Sequence, residues 1–137
     1  FKKELNDLYS TETDVSINYN TVIETLLVNQ AALMQIVINL VTNAIKYNNK
    51  GNRKVDIFIS EDTYTYSFQV TDNGDGMDNS GNVFELFETN NKVDRNGKRG
   101  TGIGLATVKK LIEKLDGEIG IESTPNEGTT IHFSIAK

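Results

Sequence analysis

Apolar residues recur at intervals of three and four in two long stretches of the chain, and at intervals of two in several shorter ones. From about Gln30 to Asn48, Leu33, Ile36, Val37, Leu40, Val41 and Ala44 keep the i, i+3, i+4 spacing for about five turns, which predicts a long amphipathic helix. Leu105, Val108, Ile112 and Leu115 predict a second helix, ended by Gly117 at its C-cap. Phe1, Leu5 and Leu8 share the same spacing and predict a short third helix, or the end of one, within residues 1–12. Strand periodicity appears elsewhere. Val55, Ile57 and Ile59 alternate with polar residues, as do Tyr64, Tyr66, Phe68 and Val70, with Glu61-Asp62-Thr63 as the turn of a hairpin. Ile119 and Ile121, then Ile131, Phe133 and Ile135, predict two last strands around the turn Pro125-Asn126-Glu127-Gly128. Weak alternation from Val15 to Val28 predicts two further short strands. Between Gly76 and Gly100 the chain is polar apart from Val83-Phe84-Glu85-Leu86-Phe87, and it reads as a long loop holding one helical turn. Loops of that length in compact domains are functional lids or disordered segments. Together these elements predict an α+β fold: a two-layer sandwich of about five strands with three main helices on one face.

At 137 residues and 37% hydrophobic content, residues 1–137 form one domain, with material for a real core and none for a second catalytic domain. A formal net charge of −5 excludes a nucleic-acid surface, which needs a dominant basic patch. The basic residues that do cluster, Lys92, Arg95, Lys98 and Arg99, share one loop beside glycines. With no cysteine there is no disulfide framework, thiolate metal site or cysteine nucleophile, which suits a reducing cytosol. No stretch approaches the roughly 20 apolar residues of a membrane span, and no signal peptide is visible, so the domain is expected in the cytoplasm without direct membrane contact. The chain opens on Phe1 rather than Met and reads as a segment of a longer protein, one that can itself be membrane-anchored.

Two glycine clusters carry the functional signal: Asp72-Asn73-Gly74-Asp75-Gly76 and Gly100-Thr101-Gly102-Ile103-Gly104-Leu105. Glycines let backbone N–H groups approach a phosphate chain with no Cβ in the way, and the second cluster runs into the start of a helix, where anions are favoured. On the long helix, Gln35, Asn39, Asn43 and Lys46 fall within about 80° of one another, beside the apolar stripe. An amide oxygen can take one position of a Mg²⁺ shell completed by waters and phosphate oxygens, and an ammonium one turn on can neutralise a phosphate. A solvated helix face is the simpler account of such a ridge, but two asparagines at i and i+4 in mid-helix lower stability without a structural return. Asp72 ends a strand at the sheet edge, next to a glycine turn. A carboxylate fixed there accepts from an exocyclic amine, which favours adenine over guanine. Asp-Asn-Gly is also ordinary turn chemistry, yet Gly74 and Gly76 followed by Met77 suit a flat base stacked on backbone. The spacing of the second cluster is not that of the dinucleotide fingerprint, and no Gly-Lys-Ser/Thr marks a P-loop.

In order along the chain, these stretches resemble the four boxes of sensor histidine kinases. Asn39-Leu-Val-Thr-Asn43-Ala-Ile-Lys46-Tyr47 is similar to the N box, Asp72-x-Gly74-x-Gly76 to the G1 box, Phe84-Glu-Leu-Phe87 to the F box and Gly100-Thr101-Gly102-Ile103-Gly104-Leu105 to the G2 box. The resemblance covers roughly residues 13 to 137. It implies the Bergerat ATP-binding fold shared with gyrase and Hsp90, a mixed sheet behind three helices with ATP held under a mobile lid, here residues 77–99. It implies ATP and Mg²⁺ as cofactors, with Asn43 as the Mg²⁺ ligand, Lys46 and Tyr47 at the phosphates and nucleotide edge, and Asp72 as the adenine-reading carboxylate. Gly74, Gly76 and Met77 then line the base, and Phe84 and Phe87 belong to the lid. Gly100, Gly102 and Gly104, with Thr101 and Ile103 between them and Leu105 after them, form the phosphate-facing turn at the lid's far end. Thr129, just after Gly128, matches a threonine near the adenine aspartate.

The chain also departs from the pattern. From Asp72 to Phe84 it is shorter than many members, and the F box is followed by Glu88, Thr89, Asn90 and Asn91 where the family usually has an arginine. The γ-phosphate contact then falls to Lys92, Arg95, Lys98 or Arg99. The phospho-accepting histidine region is absent, and the single histidine, His132, reads as a surface strand residue alternating with Thr130 and Ser134. The leading expectation is the catalytic ATP-binding domain of a sensor histidine kinase. Its partners are ATP, an upstream histidine-bearing dimerisation domain and, indirectly, a response regulator. The alternative is a stand-alone ATPase or anti-sigma-factor-type serine kinase of the same superfamily, which resembles the gyrase type in placing a glutamate where Asn39 stands. An amide cannot act as that base, so Asn39, expected with Lys46 in the catalytic set, favours the histidine kinase. A third class, a degenerate module that holds nucleotide without chemistry, is opposed by the intact Asn43, Asp72 and glycines.

Overall fold

The computed structural model describes residues 15–21, 28–46, 48, 50–76 and 103–137. The helix expected within residues 1–12, the second short strand before Val28 and the loop over residues 77–99 lie outside the described residues. The described elements are β1 (Val15–Asn20), α1 (Gln30–Lys46), β2 (Arg53–Glu61), β3 (Thr65–Asp72), α2 (Ile103–Lys114), β4 (Glu118–Thr124) and β5 (Gly128–Ala136). The five strands form one sheet in the order β1-β2-β3-β5-β4. β1 runs parallel to β2, and every other pair is antiparallel. α1 packs on β2 and β3, α2 packs on β4 and β5, and the two helices touch each other. The result is the expected two-layer α+β sandwich with a mixed sheet, although two of the three expected helices fall among the described residues.

Local chemistry sets the helix ends. Asn29 caps α1: its side-chain oxygen accepts from the Ala32 N–H at 3.1 Å, which satisfies one of the orphan donors of the first turn. Leu33, Ile36, Val37, Leu40, Val41 and Ile45 then bury one stripe of the helix. The helix stops at Lys46, two residues before the end expected from the pattern. There the Arg53 guanidinium, itself nearly buried, donates to the Ile45 carbonyl at 3.5 Å, a cation placed at the negative end of the helix dipole. α2 ends differently from the expectation. The left-handed residue is Asp116, with φ 55°, while the Gly117 N–H donates back to the Ile112 carbonyl and the Asp116 N–H to that of Glu113. This is the Schellman pattern displaced by one residue. Gly117 is needed for another reason, since a Cβ there would lie 1.8 Å from the Ser134 carbonyl oxygen of β5.

Period-two alternation decides which strand residues face the helices. Val55, Ile57 and Ile59 of β2, Tyr66, Phe68 and Val70 of β3, and Ile131, Phe133 and Ile135 of β5 are buried against α1 and α2, and the rings of Phe68 and Phe133 stack at 4.6 Å. Tyr64, which the sequence pattern places in the strand, precedes β3 and is 78% exposed. The outer face is polar: Asn18 donates to Asp56 at 3.1 Å, and the Thr71 and Thr130 hydroxyls meet at 3.1 Å.

Asp62 closes the β2–β3 turn. Its carboxylate accepts from the N–H groups of Tyr64 and Thr65, each at 2.8 Å, and from the Thr65 hydroxyl at 3.1 Å. These bonds, the Tyr64 amide first, hold its pKa below the ordinary carboxylate value. Stabilisation from a depressed folded-state pKa is complete above the unfolded-state value and is lost as pH falls through the folded one. Asp62→Ala is therefore expected to lower the melting temperature at neutral pH, with the gap to the parent closing on acidification. Thermal melts over a pH series check this, and a gap of equal size at neutral and strongly acid pH would contradict it.

Candidate nucleotide site

Three polar residues stand where alternation calls for core side chains. Asp72 continues the inward phase of Tyr66, Phe68 and Val70, Thr129 that of Ile131, Phe133 and Ile135, and Ser123 that of Ile119 and Ile121. Strand register brings the three into one row, because Asp72 pairs with Thr129 and Thr129 with Ser123. Directly opposed residues in a sheet hold their Cβ atoms about 5 Å apart, so the row is a contiguous polar strip at the end of an otherwise apolar face. Thr129 and Ser123 are nearly buried, and Asp72 is half-buried. A cleft of about 480 Å³ opens at this end of the sheet, lined by these three and also by Thr71, Glu122 and Thr130 of the outer face and Glu127 of the β4–β5 turn.

The loop after Asp72 is held from three sides. Asp72 accepts from the Gly74 N–H at 2.8 Å, which folds the loop back on its own strand. Asn73 accepts from the Lys54 N–H at 2.8 Å and donates to the Asn52 carbonyl at 2.8 Å. Asn48, fully buried just past α1, donates its amide to Asn73 at 2.8 Å and accepts from the Lys50 N–H at 2.9 Å. Because burying an amide without partners is costly, this arrangement fastens the end of α1 to the Asp72 loop. On the third side lies the β4–β5 turn: the Asn126 N–H donates to the Asp75 carbonyl at 2.6 Å, and the Lys50 ammonium donates to the Asn126 carbonyl at 2.8 Å. Gly76, at φ 65°, would bring a Cβ within 2.0 Å of the Thr124 carbonyl oxygen, and Gly128, at φ 137°, would bring one within 2.1 Å of the Asp72 carbonyl oxygen. The two backbones interlock only because both residues are glycine.

Of the residues singled out in the sequence, Asp72, Gly74, Gly76 and Thr129 are therefore brought together. Asn39 and Asn43 are half-buried and Lys46 is exposed on α1, whose end Asn48 ties to the same loop. Tyr47, Met77, Phe84, Phe87, Arg99, Gly100, Thr101 and Gly102 lie outside the described residues. Ile103, Gly104 and Leu105 form the first turn of α2. His132 is exposed on the outer face of the sheet, opposite to the face that carries Asp72. The sequence reading missed Asn48 and Ser123, and it gave Asn73 no role of its own. Ser123 had a signal, a polar residue in the inward phase of its strand; Asn48 had only its place at the end of a helix.

An acidic acceptor beside a glycine loop, set at the end of a mixed sheet with helices on one face, defines a nucleotide-binding class of domain. Residues 28–137 match the family described as histidine kinase-, DNA gyrase B- and HSP90-like ATPase. The chain belongs to that family, an ATPase family. It is 38% identical over 112 residues to the phytochrome-like protein Cph1 of Synechocystis sp., covering 80% of this chain and 15% of that protein. It is 35% identical over 127 residues to the sensor histidine kinase GacS of Pseudomonas protegens, covering 88% and 14%. The chain thus spans about a seventh of the length of these relatives. Among solved structures, the mycobacterial sensor histidine kinase MprB superposes with a TM-score of 0.80 at 22% identity, covering 98% of this chain and 91% of that one. A catalytic domain of histidine kinase ThkA superposes at 0.77 with 24% identity, covering 98% and 89%. These superpositions establish the fold, the Bergerat arrangement expected from the sequence. No helix among the described residues is long and apolar enough to cross a membrane.

Proposed function

We propose that this chain is the ATP-binding catalytic domain of a sensor histidine kinase, delivering the γ-phosphoryl group of ATP to a histidine on a separate dimerisation domain of the same protein, from which it passes to a response regulator. The placement of Asp72 supports the reading best: a half-buried carboxylate at a strand end, on the inward face with Thr129 and backed by a glycine-locked loop. Such a carboxylate accepts from the amine of adenine. Asn43 offers a hard amide oxygen on the half-buried ridge of α1, a donor suited to Mg²⁺, which keeps several waters and phosphate oxygens in its shell. When bound, Mg²⁺ neutralises charge on the phosphates. Lys46, one turn on, adds a cation, and Ile103 and Gly104, in the first turn of α2, bring backbone N–H groups. Phosphoryl transfer asks little more of a protein than positioning and charge neutralisation. Asn39 stands where the hydrolytic alternative needs a carboxylate base, and the relatives named above include a sensor histidine kinase.

Binding and turnover should separate. With no base at position 39 and its acceptor on another domain, the chain is expected to bind Mg-ATP and hydrolyse it very slowly. Adding the parent's dimerisation domain with γ-labelled ATP should place an acid-labile, alkali-stable label on that domain's histidine, and His132→Ala should change nothing. Rapid hydrolysis by the chain alone, or acid-stable label on serine, would favour the ATPase or serine-kinase alternative. Asn43→Ala is expected to remove most of the Mg²⁺ dependence of triphosphate binding; an unchanged magnesium titration would place the ligand elsewhere.

A further inference from the structure

The hydroxyl oxygens of Ser123 and Thr129 lie 2.8 Å apart, and Ser123 Oγ also lies 3.1 Å from the Gly128 carbonyl oxygen. A carbonyl only accepts, and each hydroxyl has one proton to give. Both contacts are hydrogen bonds in a single arrangement, in which Ser123 donates to Gly128 and Thr129 donates to Ser123. Thr129 then has no proton left to give. It keeps only lone pairs, in the same inward-facing row as Asp72, its register partner. Both side chains are nearly buried, so the arrangement is not exchanged freely with water.

A carboxylate and an acceptor-only hydroxyl side by side match a group with two protons to give, such as the exocyclic amine of a 6-aminopurine. A 6-oxopurine presents a carbonyl at the same place and needs a donor. Thr129 could supply one if its proton were free. We propose that Ser123 is a specificity-determining residue that acts through Thr129: by accepting the Thr129 proton it holds that hydroxyl as an acceptor and sets the site against 6-oxopurine nucleotides. The proposal rests on Asp72 as the base-reading carboxylate.

Calorimetric titration of the 137-residue chain with ADP and with inosine diphosphate tests it. The parent is expected to prefer ADP. Ser123→Ala frees Thr129 to donate to the 6-oxo group, and the ratio of ADP to inosine diphosphate affinity should fall by about tenfold, the scale of one hydrogen bond gained by the wrong base. Ser123→Thr keeps a hydroxyl and should keep the parental ratio. Thr129→Val has no proton to give and should gain no affinity for inosine diphosphate, even as ADP binds more weakly. A purely structural role for Ser123 would weaken both ligands together. Thermal unfolding checks that each variant is folded; should Ser123→Ala not fold, Ser123→Cys, similar in size and a weaker acceptor, carries the same expectation. An unchanged ratio in the folded Ala or Cys variant overturns the role of Ser123 while Asp72 keeps its own. A parent that binds both diphosphates equally overturns both assignments.

Discussion

Gly128→Ala is expected to lower the stability of the domain by about 3 kcal/mol or more and to weaken nucleotide binding in whatever remains folded. At φ 137° the backbone is one that a side chain rarely adopts, and the new Cβ would sit 2.1 Å from the Asp72 carbonyl oxygen and 3.2 Å from Asn73 Cα. Neither neighbour is a flexible side-chain end, so the strand end that carries the carboxylate has to move. Gly51→Ala serves as the control: nothing lies within 4 Å of its would-be Cβ, and its effect should stay within about 0.5 kcal/mol. Urea unfolding and ADP calorimetry on both variants check the contrast. Equal stability of Gly128→Ala and the parent would mean that the interlock with the β4–β5 turn is not as tight as described.

Asp72→Asn is expected to weaken ATP binding by about 1.5–3 kcal/mol, the range of a charge-assisted hydrogen bond, while the fold stays intact. The substitution is nearly isosteric, and an amide oxygen can still accept from the Gly74 N–H that the carboxylate now holds at 2.8 Å. What changes is the other half of the group, where an acceptor becomes a donor that, on the proposed reading of Asp72, meets the amine of the base. Stability and affinity should therefore separate, in contrast to Gly128→Ala, where they fall together. Calorimetry that finds equal ATP affinity in mutant and parent would remove Asp72 from base recognition.

Most of the local structure was legible because it follows from short-range periodicity. The stripe from Leu33 to Ala44 marked α1 to within two residues of its observed end, and the alternations around Ile57, Phe68, Ile121 and Phe133 marked four of the strands. The pattern placed Asp72 at a strand end beside a glycine turn, and the structure adds that it lies on the inward face. The misses have particular causes. Tyr64 fits the alternation of β3 but precedes the strand, because Asp62 turns the backbone with hydrogen bonds from the Tyr64 and Thr65 amides that no hydrophobic pattern encodes. Gly117 looked like a helix stop, yet the left-handed position fell to Asp116, and the glycine answers to the Ser134 carbonyl of a strand far along the chain.

The sequence by itself determined the class of elements, the inward face of each strand and the order of the motifs that name the family, because each depends on residues within a few positions of one another. Beyond the two pairs joined by tight turns, only the tertiary structure decided which strands are neighbours. That choice sets β1 parallel to β2 and inserts β5 between β3 and β4, and it brings Thr129 and Ser123 into the row of Asp72. It also made partners of Asn48 and Asn73 and set Gly76 against the Thr124 carbonyl and Gly128 against that of Asp72. The physical reason is that alternation reports the face on which a side chain lies, whereas register and hydrogen-bond partners come from the joint packing of distant segments over one core.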